Sequence, residues 1–525
     1  MQRRVHHGSE HDTQACQLCY QSPMTTSTEQ TLEVDAELVE RVERAAELLE
    51  SVVEDRGVLA GVDEELRKRL LVAAGRASLP LKHERKKLAR ELERRRRDAR
   101  NARDLVKRKS TGIRTQRAHP VFMTPAGGAP LLPTGDALEL EVARRCYVCK
   151  VEYTLLHHFY DQLCTDCGDF NFSKRHPSGD LTGRVGLVTG ARVKIGYHAA
   201  ILLLRAGCHV IVLTRFPRDA AHRYAQEADF DEWGDRLEIH GIDLRHTPSV
   251  EMLCSDLLAT HSRLDFIINN ACQTVRRPPD FYGHLLEGET RAAAELPASE
   301  ARLLAGDHGP RSRSVLPADY EEAEAGRAAL LSQVPLIPED VGAGGDLFPA
   351  GQLDADLQQV DLRETNSWRL MLDEVPAIEL LEVHLVNAVA PFILNGRLRP
   401  LMRAVSTEDK HIVNVSAMEG QFYRALKTAR HPHTNMAKAS LNMMTRTAAS
   451  DYVEDGIHMN SVDTGWVTDE DPAIHAARKA VEQAFSPPLD IVDGAARIVA
   501  PIFDGFATGE HAWGLFFKDY KVTDW

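Results

Sequence analysis

Residues 181–215 read LTGRVGLVTGARVKIGYHAAILLLRAGCHVIVLTR. Val185 to Val188 is a short apolar run of strand length. Gly190 and Gly196 bracket a turn, Tyr197 to Arg205 makes a helix, and Gly207 ends it. Val210 to Leu213 is a second apolar strand. A strand, a glycine turn, a helix and a second strand form the first half of a dinucleotide-binding fold. In such a fold a pyrophosphate sits at the helix N-terminus. The stretch predicts an α/β chain with a Rossmann-type, doubly wound parallel sheet.

Downstream segments extend this pattern. The pair Asp243-Leu244 and the run Asn269-Asn270-Ala271-Cys272 come next, and His411 to Ser416 reads as a further strand. HLVNAVAPF carries Asn387, and Asn460 to Thr468 reads NSVDTGWVT. Taken in order, these motifs resemble the short-chain dehydrogenase/reductase family, over residues 181–272 and 383–470. The family's TGxxxGxG turn corresponds to Thr189–Gly196, with Lys194 in place of the middle glycine. The resemblance implies a cofactor site at Gly190, Arg192, Lys194, Ile195, Gly196, Asp243, Leu244, Asn270, Ala271, Gly465 and Thr468. It also implies an oligomer, because the last strand of the family commonly builds the subunit interface.

Charge bears on which cofactor is bound. A chain that selects NAD usually ends its second strand with an acid that holds the ribose 2′-hydroxyl. Here the strand ends Thr214-Arg215. Arg215, with Arg192 and Lys194, would attract a 2′-phosphate, so NADP(H) is expected over NAD(H). The bland reading pairs Arg215 with Asp219 or Glu227.

The resemblance implies an Asn-Ser-Tyr-Lys tetrad in which Lys lowers the pKa of Tyr and holds the cofactor ribose. Asn387 and Lys438 match it. Thr434 occupies the tyrosine position, and Ala417 the serine position, with Ser416 one place earlier. A threonine hydroxyl is a far weaker acid than a phenol of pKa about 10. MAKASLN with an earlier tyrosine is similar to the enoyl-acyl-carrier-protein reductases of the same family. Tyr423, fifteen residues before Lys438, is therefore the first candidate proton donor if its loop folds back beside Lys438, followed by His433 or His431. The bland reading of Tyr423 is a packed aromatic on a surface loop.

Between Cys272 and Glu382 the chain carries an insertion, at about 273–382, where the family has a short connection. Arg276 and Arg277 open it and are placed to hold an acidic substrate or the cofactor. Phe348 and Trp368 are candidates for a lid.

Upstream of the fold, Cys146-x-x-Cys149 is followed by Cys164-x-x-Cys167. Two CxxC knuckles complete a tetrahedral four-thiolate shell, which holds zinc structurally and leaves no open position. The small module at 141–178 would need that metal to fold. Cys208, Cys254 and Cys272 are expected as small buried residues. Residues 31–109 read as helices, and 110–140 as a Pro/Gly-rich linker. Residues 1–30, with the lone pair Cys16 and Cys19, read as a disordered tail.

Between Lys82 and Lys109 there are fourteen Lys/Arg against five Asp/Glu. That basic helix suits an acidic partner, or pairs with the acidic segment before it. The whole chain of 525 residues is acidic, with 63 Lys/Arg against 77 Asp/Glu and a net charge of −14. A whole-chain nucleic-acid binder is therefore disfavoured. No membrane span and no secretory leader are expected, which points to the cytosol. Two function classes follow. One is an NADP(H)-dependent oxidoreductase acting on a small carbonyl/alcohol or enoyl substrate. The other is a catalytically inactive NADP-binding sensor or scaffold.

Overall fold

The computed structural model describes residues 36–117, 138–291, 295–304, 327–341, 344–349, 351–354, 358–423, 427–483 and 485–525. The 1–30 segment, Cys16, Cys19 and most of the expected linker lie outside them. The chain divides into two units, Met1–Lys109 with Glu139–Ala143, and Ser110–Leu138 with Arg144–Trp525.

The first unit is helical over Ala36–Glu54, Glu64–Ser78 and Lys82–Lys109. Asp63 caps the second helix by accepting the Glu65 and Leu66 N–H groups, both at 3.1 Å. Some charges of the basic helix pair within it and with the returning strand. Arg94 pairs with Glu91, and Arg103 grips Glu141 at 2.6 and 2.7 Å. The Asp104 carboxylate accepts the Glu141 and Val142 N–H groups at 2.8 and 3.0 Å.

In the second unit, a short helix Gly112–Arg117 stands where the linker was expected, with Ile113 fully buried. Strand β1 (Glu139–Arg145), whose residues 139–143 belong to the first unit, precedes the first cysteine pair, and β2 (Glu152–Leu155) of the second unit follows it. The main sheet contains β3 (Val185–Thr189), β4 (His209–Thr214), β5 (Leu237–Gly241), β6 (Phe266–Asn269), β7 (Lys410–Ser416), β8 (Ile457–Asp463), β9 (Phe516–Lys518) and β10 (Lys521–Thr523). Their order is β10-β9-β8-β7-β6-β3-β4-β5, parallel except at β9/β10.

Successive strand residues point to opposite faces, so each strand feeds two apolar layers. Val188, Val212 and Ile268 pack with helices Lys194–Arg205 and Ile491–Thr508. Leu187, Ile211 and Ile267 pack with residues of Thr247–Thr260 and Ala390–Arg403 on the other face. Continuous apolar strands are what a sheet covered on both faces requires. One continuous helical run, Ala377–Arg403, is long and apolar enough to cross a bilayer by composition alone. Its Leu394, Leu398, Leu401 and Met402 are buried in the second core layer. Cys208 and Cys254 are buried as expected. Cys272 is exposed, because its turn leaves the sheet at the mouth of a cavity.

The four-cysteine segment is joined to the sheet's covering helix by a buried ionic knot. Asp490 and Asp493 cap helix Ile491–Thr508 reciprocally, each accepting the other's N–H at 2.9 Å. Arg175 donates to Asp490 at 2.7 Å and to Asp493 at 2.8 Å, and the Tyr160 hydroxyl donates to Asp493 at 2.5 Å. All four side chains are almost fully buried. Removing one partner of a buried pair strands the other charge. Arg175→Met is therefore expected to lower unfolding free energy by about 3–5 kcal/mol, read as a falling midpoint in urea denaturation followed by near-UV circular dichroism.

Candidate functional site

The strand order reverses between β3 and β6, and a crevice opens there at the carboxyl ends of the strands, where ligands bind in such sheets. A cavity of about 330 Å³ occupies it. Its floor is the turn after β3. Gly190 has φ +66°, and a Cβ there would meet Ala271 Cα at 2.8 Å. A Cβ on Gly196 would fall 2.2 Å from Asn270 Nδ2 and 2.6 Å from the Gly190 carbonyl. The Asn270 amide closes the turn by donating to the Thr189 and Gly190 carbonyls at 3.1 and 3.2 Å. Lys194, at the substituted glycine position, has φ +57°. That conformation costs a non-glycine residue about 1–2 kcal/mol.

Every residue expected around a cofactor lines this cavity except Gly465 and Lys438. Arg192 is paired with Asp219 at 2.6 Å, and Asp219 also holds Arg223 at 2.7 Å. Arg215 pairs with neither Asp219 nor Glu227 in the described contacts. It donates to the Tyr282 hydroxyl at 2.8 Å and lies over the Tyr282 ring, 4.6 Å from its centroid. Burial pushes the Tyr282 phenol up, but Arg215, together with Arg277 and Arg192, brings its pKa below the ordinary value. Asp243 is gripped by Arg245 at 2.7 Å, and Arg245 reaches Glu382 at 2.8 Å. Burial opposes the Asp243 charge, yet Arg245 holds its pKa below the usual range.

The insertion supplies part of the wall through Arg277, Tyr282 and Gln358. Sequence reasoning missed Arg245, Gln273, Tyr282 and Glu470 as cavity residues. The short spacing of Arg245 from Asp243 and of Glu470 from Thr468 was the available signal. Arg276 does not face a ligand. It is buried between Asp340, at 2.5 and 2.7 Å, and Glu382, at 2.9 Å, so its charge is already satisfied. Phe348 is buried against Phe281, edge to face.

The tetrad positions divide into two groups. Asn387 lies in a π-helical turn, Leu385–Val389, a distortion common at functional sites. Its Oδ1 accepts the Gln273 N–H at 2.7 Å, which ties this turn to the loop after β6. Lys438 Nζ donates to the Val415 carbonyl at 2.6 Å. Ser416 ends β7 with its hydroxyl buried and without a partner among the described residues. Tyr423 does not fold back into this group: it is 89% exposed and absent from the cavity wall. A short loop places it, and no apolar pocket draws the ring inward.

Thr434 is buried one helical turn before Lys438. Its hydroxyl donates to the His431 carbonyl at 2.8 Å, so its oxygen accepts from His431 Nδ1 at 3.0 Å. His431 has φ +42° and stacks on Trp368, with centroids 3.9 Å apart. Burial pushes the His431 pKa below its ordinary value. His433 is committed to Glu379 at 3.1 Å.

The four cysteines converge. Their Sγ atoms lie within 4.8 Å of one another, and none is in a disulfide. Cys149 and Cys164 Sγ are 3.7 Å apart. A tetrahedron with metal–sulfur bonds of about 2.3 Å has edges of about 3.8 Å. The Val151 N–H is the largest influence drawing the Cys149 thiol down to about 7. Burial pushes the Cys164 and Cys167 thiols up, so it is the spacing that fits a zinc ion. Tyr147, between Cys146 and Cys149, accepts the Trp466 N–H at 3.0 Å. Arg117 reaches the Val467 and Leu489 carbonyls at 2.7 and 3.0 Å. The loop after β8 is thus held from the cysteine-bearing segment.

Residues 184–282 match the family described as short chain dehydrogenase, and residues 369–486 the family described as enoyl-(acyl carrier protein) reductase. The chain is 30% identical over 371 residues to "Uncharacterized protein R665" of Acanthamoeba polyphaga mimivirus, covering 69% of this chain and 71% of that one. It is 35% identical over 102 residues to retinol dehydrogenase 14 of Mus musculus, covering 18% of this chain and 30% of that one. Among solved structures, the Pseudomonas aeruginosa RhlG/NADP active-site complex is similar at 19% identity and a TM-score of 0.40, over 65% of this chain and 96% of that one.

The glycine turn yields a direct test. Gly196→Ala must push Asn270 away or distort the turn. Dinucleotide binding, followed by energy transfer from tryptophan to the nicotinamide, is expected to be lost while far-UV circular dichroism is retained.

Proposed function

Since the chain belongs to the short-chain dehydrogenase/reductase family, we propose that it is an NADP(H)-dependent oxidoreductase acting on a carbonyl/alcohol or enoyl substrate. The observation that carries this reading is the cationic cavity at the glycine turn. Arg192 and Arg215 flank it, and β4 ends Thr214-Arg215 with no acid to hold a ribose 2′-hydroxyl. The backbone from Gly190 to Gly196 would receive the pyrophosphate, Arg215 the 2′-phosphate, and Lys438 the nicotinamide ribose. The bound nicotinamide supplies or takes up the hydride.

The protein's own residues handle the proton. With Tyr423 exposed and Thr434 too weak an acid, we assign proton exchange to His431, which lies outside the cavity wall but is hydrogen-bonded to Thr434 one turn before Lys438. The buried imidazole is neutral at pH 7, which is the form that accepts a proton. Alcohol oxidation should therefore rise with pH through a pKa below about 6.5 and level off by neutrality. His431→Ala is expected to cut turnover by at least about a hundredfold with NADPH affinity unchanged, whereas Tyr423→Phe leaves turnover intact. The reverse pattern would return the role to Tyr423.

Cofactor choice has its own readout. A charge-assisted hydrogen bond contributes about 1.5–3 kcal/mol. Arg215→Ala should then weaken NADPH binding by about ten- to a hundredfold and leave NADH binding nearly unchanged, both measured by fluorescence titration.

A structural zinc on Cys146, Cys149, Cys164 and Cys167 completes the proposal. Cys164→Ser is expected to abolish the sulfur-bound metal and to lower the melting temperature. Metal content by mass spectrometry and calorimetry would check both.

A further inference from the structure

A second ligand cluster lies at the amino ends of β4 and β5, the edge of the sheet away from the cavity. Glu238, on β5, faces three imidazoles. His240 Nε2 is 2.5 Å from its Oε1, while His261 Nε2 and His209 Nε2 are 3.3 and 3.6 Å from its Oε2. The ligand atoms of His209, Glu238 and His261 all fall within 4.8 Å of one another.

The hydrogen bonds around His261 bear on what this cluster can hold. Thr260 Oγ1 donates to the Asp256 carbonyl at 2.7 Å, and that oxygen can only accept. The hydroxyl proton is therefore spent, and Oγ1 must accept from His261 Nδ1 at 2.9 Å. Neutral His261 thus carries its proton on Nδ1. Its bare Nε2 lone pair is turned toward the Glu238 carboxylate. Two lone pairs at that distance repel unless a metal cation stands between them or a second proton makes the ring an imidazolium. A hydrogen bond from the second ring nitrogen of a metal-binding histidine is the usual device for fixing this tautomer. The His261–Glu238 separation of 3.3 Å agrees with a shared ion, and the His209–Glu238 one of 3.6 Å is slightly wider. Ligands about 2.0–2.1 Å from a tetrahedral ion are about 3.3–3.4 Å from each other.

We propose that His209, Glu238 and His261 bind a divalent transition-metal ion of the zinc class, with solvent completing the shell and His240 orienting the carboxylate. Nitrogen and oxygen donors separate this site from the all-sulfur one by spectrum.

The test is a Co²⁺ titration of the full-length protein whose thiolate site is already filled with zinc. An added equivalent is expected to give d–d absorption with no sulfur-to-cobalt charge-transfer band. Glu238→Gln and His209→Asn should abolish that equivalent. Thr260→Val removes no ligand but releases the His261 tautomer, and should weaken binding by roughly ten- to a hundredfold. Thermal melts of the three variants without cobalt would show that they fold. Absence of an added equivalent in the wild-type protein, or identical titrations in wild type and folded variants, would overturn the site and leave His261 as an imidazolium partner of Glu238.

Discussion

The side-chain amide of Asn270 bridges two strand ends, and the cavity exists because of that bridge. Its donations to the Thr189 and Gly190 carbonyls draw the turn after β3 against the loop after β6. Only glycine at 196 leaves room for the amide. The Ala271 N–H adds a bond to Thr189 Oγ1 at 2.9 Å. From this fastening the loop runs on to Gln273, which Asn387 holds through its backbone. One short polar chain therefore sets the spacing between the glycine turn after β3 and the helix that carries Asn387.

Below that chain the sheet is polar where its neighbours are apolar. Asn269 donates to Asn395 at 2.9 Å and to Asn414 at 2.8 Å, and Asn414 donates to Thr445 at 2.9 Å. Buried amides of this kind cost free energy unless they are bonded, and bonded they fix one arrangement. Register between β6, β7 and the helix behind them is thus specified by hydrogen bonds as well as by shape.

The parts of this protein legible from sequence were those whose chemistry is local. The glycine turn, the strand runs and the paired CxxC knuckles are written in spacings of a few residues, and their residues fall together in the structure. Tyr423 lies on the surface rather than beside Lys438, because the direction of its loop depends on tertiary packing that no spacing reveals. Arg276 looked like a ligand-binding cation because its partners, Asp340 and Glu382, are distant in sequence. Tyr282 was passed over for the same reason. It is an ordinary aromatic in the insertion until Arg215 is found donating to its hydroxyl. Cys272 kept the motif's place at the turn but not the burial expected of a free cysteine.

Tyr147 sits between two cysteines of the knuckle and yet receives a backbone N–H from the loop after β8. The consequence concerns how this protein can be dissected. A minimal fragment beginning near Asp180 would contain every strand of the main sheet. It would also strand the Trp466 N–H and leave Asp490 and Asp493 without Arg175 or Tyr160. The borders drawn by sequence motifs are therefore not borders at which the polypeptide can be cut, and any shortened version must bring the cysteine-bearing segment with it.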